Sequence, residues 1–208
     1  AGETVASKLA RIREEMKEAG TNVHVVSTID DICWTLNIRG NDIDFFPLVL
    51  SYGIITMDSF ELYIDEKKLD DKLKAKLEKD GVNLHPYNDI YEDVKKFGSD
   101  VVAMIDPGKL NYALFNNIPE NVKTVEKRNP AILMKAIKNP VEIENIRKAQ
   151  IKDSVAHVRF MKWLKENVGK MRITEMSASD KLDEFRAEMG NFIRPSFEPI
   201  SSFGEHGA

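Results

Sequence analysis

The sequence predicts an α/β domain built on a mixed β-sheet, followed by a shorter unit of a different kind. Two observations predict this. Short apolar runs typical of buried strands alternate with amphipathic helix patterns up to residue 126, and from residue 139 the chain turns to long helices. At 208 residues the chain is long enough for one large domain, or for one domain and part of another. We therefore expect one domain over residues 1–138 and a second unit over residues 139–208.

The helices of the first domain are predicted from apolar spacing and from stop signals. Over residues 4–18, apolar side chains recur every three or four positions, and Gly20 then offers a C-terminal stop. These apolar positions are Val5, Leu9, Ile12 and Met16. Further helices are predicted over residues 28–36, 67–80, 88–97 and 108–116.

Five short apolar runs predict the strands of the sheet. They cover residues 23–26, 48–56, 60–64, 101–105 and 122–126. The turn Met57-Asp58-Ser59 separates the second run from the third, which predicts a β-hairpin. Helices and strands alternate irregularly along the chain, so we expect a mixed sheet with helices on its faces.

The second unit opens with a strong helix start at Asn139-Pro140-Val141-Glu142, where a capping residue, a proline and a glutamate follow one another. The helix is predicted to run to Gly169. Thr174 caps a second helix that Gly190 ends, and a short extended segment lies between Pro195 and Pro199. Two helices and one strand bury little apolar surface by themselves. We therefore expect this unit to be incomplete.

Composition argues against several classes of function. A net charge of −4 gives no basic field to bind nucleic acid, and no apolar run approaches the length of about 18–20 residues that spans a bilayer. The single cysteine, Cys33, excludes an internal disulfide and a cysteine-based zinc cluster. Because Cys33 lies in an apolar run, we expect a small buried side chain, which is compatible with a reducing, cytoplasmic compartment.

Few side chains are candidates for chemistry. Asp153 and His157 lie four residues apart on a predicted helix, where a surface hydrogen bond is favoured because no further metal ligand is in view. His206 lies in a glycine-rich terminal stretch, which favours disorder or solvent exposure. His24 and His85 have no partner in register, so we expect structural roles for them.

The most distinctive internal stretch is Trp34-Thr35-Leu36-Asn37-Ile38-Arg39-Gly40-Asn41-Asp42, which ends a short helix in a polar turn. An arginine beside an aspartate suits two roles. Arg39 can bind a carboxylate ligand, or it can pin the Asn41-Asp42 turn by a charge-assisted hydrogen bond. We favour the pinning role, in which Arg39 contributes to stability.

Four segments, in order, resemble the large, three-domain Xaa-Pro aminopeptidases of the cytosolic type. The first, WTLNIRGNDIDFFPLVLSYGII, is similar to a middle-domain motif of that family. The others, KAIKNPVEIENIRKAQIKDSVAHVRFMKWL, ITEMSASDKLDEFRAE and SFEPISSFGEHGA, are similar to the start of its catalytic domain. The resemblance covers essentially the whole chain and assigns a structural motif to Trp34, Asn37, Arg39 and Asp42.

The resemblance implies an RNase H-like domain, as at the N-terminus of creatinase and prolidase, followed by the beginning of an α+β "pita-bread" metallopeptidase domain. The parent protein would be a cytoplasmic homodimer that holds two divalent metal ions, with manganese as the expected metal. It would remove the N-terminal residue that precedes proline in a peptide. In the family, the catalytic histidine and the metal ligands follow the Gly-Ala pair that is Gly207-Ala208 here.

No catalytic residue and no metal ligand therefore carries over to this chain. The resemblance implies that these 208 residues bind no cofactor and are inactive by themselves. A second class of function stays open. Pita-bread relatives without metal ligands act as peptide- or protein-binding modules, and the residues at hand do not distinguish such a module from an enzyme.

Overall fold

A computed structural model describes residues 2–207, so the expected domain limits at residues 1 and 208 lie outside the described part. The chain divides into two compact units. Unit 1 comprises Ala1–Asp42 and Pro47–Lys138, and unit 2 comprises Ile43–Phe46 and Asn139–Ala208. The inclusion of Ile43–Phe46 in unit 2 has no counterpart in the sequence pattern.

Unit 1 contains one six-stranded sheet. Its strands are β1 (Val23–Val26), β2 (Ser51–Thr56), β3 (Phe60–Ile64), β4 (Val82–His85), β5 (Val102–Ile105) and β6 (Lys123–Glu126). They are arranged in the order β4-β3-β2-β1-β5-β6. The pairs β1–β2 and β2–β3 are antiparallel, whereas β3–β4, β1–β5 and β5–β6 are parallel. The expected mixed sheet and the β2–β3 hairpin are therefore confirmed.

Six α-helices of the described residues accompany the sheet. They are α1 (Val5–Glu18), α2 (Ile29–Leu36), α3 (Asp71–Lys79), α4 (Ile90–Asp93), α5 (Tyr112–Asn117) and α6 (Pro130–Ala136). Capping residues define where several of them begin: the side chains of Thr4, Asp70 and Asn111 accept hydrogen bonds from backbone N–H groups in the first turns of α1, α3 and α5. These side chains satisfy donors that have no partner inside the helix.

Apolar side chains pack on both faces of the sheet, because successive strand residues point to opposite sides. On one face, Val26 and Ile55 join the apolar stripe of α1, whose members Val5, Leu9, Ile12 and Met16 are all buried as predicted. On the other face, Val25 and Ile54 pack with α4 and α5 through Ile90 and Leu114. Unit 1 therefore buries a core on both sides of the sheet.

Several features of unit 1 differ from the prediction. Of the helix predicted over residues 88–97, only Ile90–Asp93 is α-helical, between two 3₁₀ turns. The helices predicted to begin at residues 67 and 108 begin at Asp71 and Tyr112, because Asp70 and Asn111 cap them. Strand β4 pairs in parallel with β3, and α6 follows β6; neither element was expected. Strand β2 begins at Ser51 rather than at residue 48. Leu48 and Leu50 instead lie in a loop, where the Leu48 carbonyl accepts from Asp42 N–H and the Leu50 N–H donates to the Asp42 carboxylate. These local bonds occupy backbone groups that a longer strand would have used.

Among its described residues, unit 2 contains two α-helices, α7 (Pro140–Asn167) and α8 (Glu175–Glu188), and a 3₁₀ turn at Gly204–Gly207. Both α-helices begin with a capping box, formed by Asn139 with Glu142 and by Thr174 with Ser177, so the predicted starts are confirmed. The short extended segment expected between Pro195 and Pro199 has no regular secondary structure, because no described strand pairs with it. No helix among residues 2–207 is both long and apolar enough to cross a membrane.

Unit 2 leaves much apolar surface uncovered. Within residues 139–207 only Ala156 and Phe185 are buried apolar side chains. Large exposed side chains, each more than half exposed, are found at Ile151, Val158, Met161, Val168, Met171, Met176, Ile193, Phe197, Ile200 and Phe203. Exposed apolar surface on this scale is unusual for a self-contained domain.

Limited proteolysis tests the division of the chain. We expect a fragment of about residues 1–138 to survive, because unit 1 has a buried core, while residues 139–208 are degraded. Mass spectrometry of the digestion products over time measures the survival of the first fragment and the loss of the C-terminal region. A C-terminal region that resists protease as long as unit 1 does would show that the boundary is misplaced.

Candidate functional site

The Trp34–Asp42 motif begins where α2 ends. Asn37 terminates the helix in the left-handed conformation, with φ of 54°, which asparagine tolerates better than other residues that carry a Cβ. Its side-chain amide donates to the carbonyl of Glu3 (3.0 Å). The Asn37 side chain therefore ties the end of α2 to the residues that precede α1.

A buried lysine completes this arrangement. The Nζ of Lys8, on α1, donates to the Trp34 carbonyl (2.6 Å) and to Asn37 Oδ1 (2.8 Å), and it lies 4.4 Å from the centroid of the Trp34 ring. Lys8 is 2% exposed. The sequence analysis missed this residue, although its signal was present: Lys8 follows Val5 by three positions and precedes Ile12 by four, so it lies on the apolar face of α1.

Arg39 does not pin the turn as expected. It is exposed, and its Nη1 donates to the carbonyl of Ile38 (2.9 Å). The Asp42 carboxylate instead accepts from Lys68 Nζ (2.6 Å) and from Leu50 N–H (2.8 Å), and the Lys68 bond is the main reason that the pKa of Asp42 is lowered. The cation that pairs with Asp42 is Lys68, which is 26 positions away in sequence. The prediction that the neighbouring Arg39 pairs with Asp42 was therefore wrong.

The motif loop packs tightly against the chain that follows it. Gly40 N–H donates to the Pro47 carbonyl, and a Cβ at Gly40 would lie 2.7 Å from that of Val49, so only glycine fits. Beside this close approach lies a cavity of about 330 Å³. Its walls are Ile38, Arg39, Gly40, Asn41, Asp42, Val49, Lys68, Leu69 and Leu73.

Cys33 lies under the motif and is 1% exposed, as expected for a small buried side chain. Burial is the main reason that the pKa of its thiol is raised, which disfavours the thiolate form that acts as a nucleophile.

His24 is at the centre of a buried polar network in unit 1. Its Nδ1 lies 3.1 Å from the Met104 carbonyl and its Nε2 lies 3.3 Å from Asn129 Oδ1, while the Asn129 amide donates to Asp31 (2.9 Å). A neutral imidazole can donate to only one of these oxygens. Burial lowers the pKa of His24, and the two oxygens and the nearby Asp31 and Asp106 carboxylates oppose that shift.

His85 is half-buried in a second polar group. Its Nε2 lies 2.6 Å from a Glu61 carboxylate oxygen, and its ring stacks on Tyr63, with 4.9 Å between the ring centroids. The Tyr63 hydroxyl in turn donates to Asp93 (3.0 Å). These contacts join β3, β4 and α4, which suits a structural role for His85. The expectation that His85 has no partner in register was wrong, because it lies opposite Tyr63 in the pairing of β3 with β4.

The histidines of unit 2 pair with single carboxylates. His157 Nδ1 lies 2.9 Å from the Asp153 carbonyl and 3.4 Å from its carboxylate, which also accepts from Arg186 Nε (2.8 Å). His206 Nδ1 lies 2.9 Å from Glu175, a partner that the sequence analysis missed. Among residues 2–207, no group of three or more histidine, cysteine, aspartate or glutamate side chains is arranged to hold a metal ion.

Comparisons with known proteins divide the chain in two. The family model "Creatinase/Prolidase N-terminal domain" matches residues 1–142, and the model "Metallopeptidase family M24" matches residues 144–208. A solved structure of X-prolyl aminopeptidase from Caenorhabditis elegans, described as a cytosolic enzyme with a di-nuclear active site, matches with a TM-score of 0.91 and 30% identity. The match covers 99% of this chain and 37% of that one.

Curated relatives give the same result. The chain is 35% identical to a probable Xaa-Pro aminopeptidase P of Neurospora crassa and 38% identical to Xaa-Pro aminopeptidase 1 of Dictyostelium discoideum. Both alignments cover 100% of this chain, but only 32% and 33% of the relatives. The chain thus spans about a third of the length of the curated relatives it matches.

Substitutions test which side chain holds the motif loop. We expect Arg39→Ala to change the free energy of unfolding by less than about 0.5 kcal/mol, because the side chain is exposed. Asp42→Ala should lower that free energy by about 1–2 kcal/mol, because it removes the acceptor of Leu50 N–H and the partner of Lys68. Urea denaturation measures both. A loss for Arg39→Ala that equals or exceeds the loss for Asp42→Ala would restore the pinning role to Arg39.

Proposed function

Because the chain belongs to the Creatinase/Prolidase N-terminal domain family and continues into sequence matched by metallopeptidase family M24, we propose that the whole protein is an Xaa-Pro aminopeptidase. It removes the N-terminal residue that precedes proline in a peptide. One observation carries this proposal: a fold that matches the C. elegans X-prolyl aminopeptidase over 99% of this chain, at 30% identity. The sequence resemblance of the Trp34–Asp42 motif supports the same assignment.

The proposed enzyme uses two metal ions, as the di-nuclear site of the C. elegans enzyme suggests, and we propose manganese. The side chains of residues 2–207 do not fit such a centre. The Asp153 carboxylate is paired with Arg186, and Glu175 is paired with His206, so each already has a cation or hydrogen-bond donor beside it. We assign no residue described here to the metals and place the ligands in the remainder of the M24 domain.

The part that unit 2 plays follows from its uncovered apolar surface. A cavity of about 830 Å³, lined by residues that include Leu164, Val168, Met171, Ile200 and Phe203, lies beside α7 and α8. Covering these apolar side chains would stabilise the folded protein by roughly 25 cal/mol for each Å² of apolar surface removed from water. We propose that the rest of the M24 domain covers it, so that α7 and α8 form one wall of the catalytic domain.

Three further properties belong to the proposal. The substrate is a peptide with proline in second position, whose tertiary amide has a shape that most peptidases reject. The enzyme is cytoplasmic, which the description of the C. elegans relative as cytosolic supports. It is a homodimer, as the family resemblance implies.

The activity is tested with two peptides that differ only at the second residue. The whole protein with Mn²⁺ should release the first residue when proline follows it and should leave the matched alanine peptide nearly intact. Liquid chromatography measures the released amino acid. Equal cleavage of both peptides would contradict the proposed specificity, and tight binding of the proline peptide without cleavage would favour a binding module.

The 208-residue chain by itself tests whether the metal ligands lie outside it. We expect no peptide cleavage, and no stoichiometric Mn²⁺ or Zn²⁺ binding at micromolar concentrations in a calorimetric titration. His157→Ala is the matched control and should leave the titration unchanged. A micromolar site that His157→Ala abolishes would place a metal centre in unit 2.

A further inference from the structure

The cavity beside the Trp34–Asp42 motif has the composition of a small-molecule site. Its volume of about 330 Å³ lies at the lower end of the range of roughly 300–1,000 Å³ typical of ligand pockets. Four aliphatic side chains line it: Ile38 and Val49, which belong to the buried core, and Leu69 and Leu73, which pack against it. Such pockets combine an apolar lining with a few fixed polar groups.

Arg39 places a cation at the cavity wall, and its guanidinium has hydrogen-bond donors that it does not use within the described chain. Within residues 2–207, the one hydrogen bond of its guanidinium goes to the Ile38 carbonyl, and no carboxylate forms an ion pair with it. A guanidinium carries five N–H donors in a planar fork that matches the two oxygens of a carboxylate. The remaining donors of Arg39 are thus open to an anionic ligand.

The other charges at the cavity favour the same ligand. Asp42 is the carboxylate in the wall, and its charge is compensated by Lys68 and by the Leu50 N–H. Lys68 and Arg39 together leave the wall with a net positive charge. The backbone beneath Arg39 is fixed by the close packing of Gly40 on Val49, so the site requires little reorganisation to bind.

We propose that this cavity binds a carboxylate that carries a small aliphatic group. Arg39 grips the carboxylate in bidentate fashion, and the aliphatic group lies against Leu69 and Leu73. The same chemistry is offered by a free branched-chain acid and by the C-terminal residue of a peptide. The cavity lies in unit 1, among residues that the M24 model does not match.

Nuclear magnetic resonance of the ¹⁵N-labelled 208-residue chain tests the proposal, with 4-methylpentanoate as the probe. We expect saturable shifts of the Gly40 and Asn41 amides and of Arg39 Nε, with a dissociation constant in the millimolar range or tighter. The neutral isostere 4-methylpentanamide should bind at least about tenfold more weakly. N-acetyl-alanyl-leucine and its C-terminal amide form the peptide arm, and whichever of the two acids binds tighter identifies the source of the carboxylate.

Two variants complete the experiment. Arg39→Gln should weaken binding of 4-methylpentanoate at least about tenfold, and it should fold normally because the side chain is exposed. Arg128→Gln, at another exposed arginine, is the matched control and should bind 4-methylpentanoate as tightly as the unsubstituted 208-residue chain does. The proposal is overturned if neither acid gives saturable shifts, if the amides bind as well as the acids, or if Arg39→Gln binds unchanged.

Discussion

The burial of the Lys8 ammonium between α1 and α2 is the interaction on which the shape of the motif depends. Removing an ammonium from water is unfavourable by several kcal/mol unless nearby groups replace its hydration. The Trp34 carbonyl, the Asn37 side chain and the Trp34 ring do so here. Because two of these groups lie in the last turn of α2 and just after it, the lysine fixes the residue at which that helix ends.

The path of the chain after α2 follows from this constraint. Asn37 is held in its left-handed conformation by Lys8 from one side and by the Glu3 carbonyl from the other. The next residues then turn toward Val49, where Gly40 permits backbone contact, and Asp42 closes the loop on Leu50. The loop thus leads into β2 and also forms one wall of the cavity. The buried Lys8 ammonium therefore affects both the packing of α1 against α2 and the position of the loop that lines the cavity.

What the sequence predicted well was local. The apolar stripe of α1, the hairpin of β2 and β3, and the capping box of α7 each depend on neighbouring residues, so the pattern contained the necessary information. Strand β4 was missed because its four residues bury only Val82 and owe their conformation to pairing with β3. Lys68 was missed as the partner of Asp42 because the contact spans 26 positions of sequence.

The same reasoning explains the candidate site. Trp34, Asn37, Arg39 and Asp42 were identified as a motif, but their roles depend on Lys8 and Lys68, which lie outside it. Arg39 was assigned to the turn because the aspartate was adjacent in sequence. With Asp42 already compensated by Lys68, the guanidinium has no carboxylate within the described chain. That leaves the second role considered for it, a ligand carboxylate, as the better account of its position.

A double-mutant cycle between Lys8 and Asn37 tests the central constraint most directly. Lys8→Met preserves most of the volume of the side chain, and Asn37→Gly removes the amide while tolerating a positive φ. Urea denaturation of the two single variants and the double variant gives the coupling free energy. We predict a coupling of about 1–2 kcal/mol, as for a hydrogen bond to a buried charged group. Effects that add to within about 0.3 kcal/mol would contradict the account, because the lysine would then not hold the end of α2.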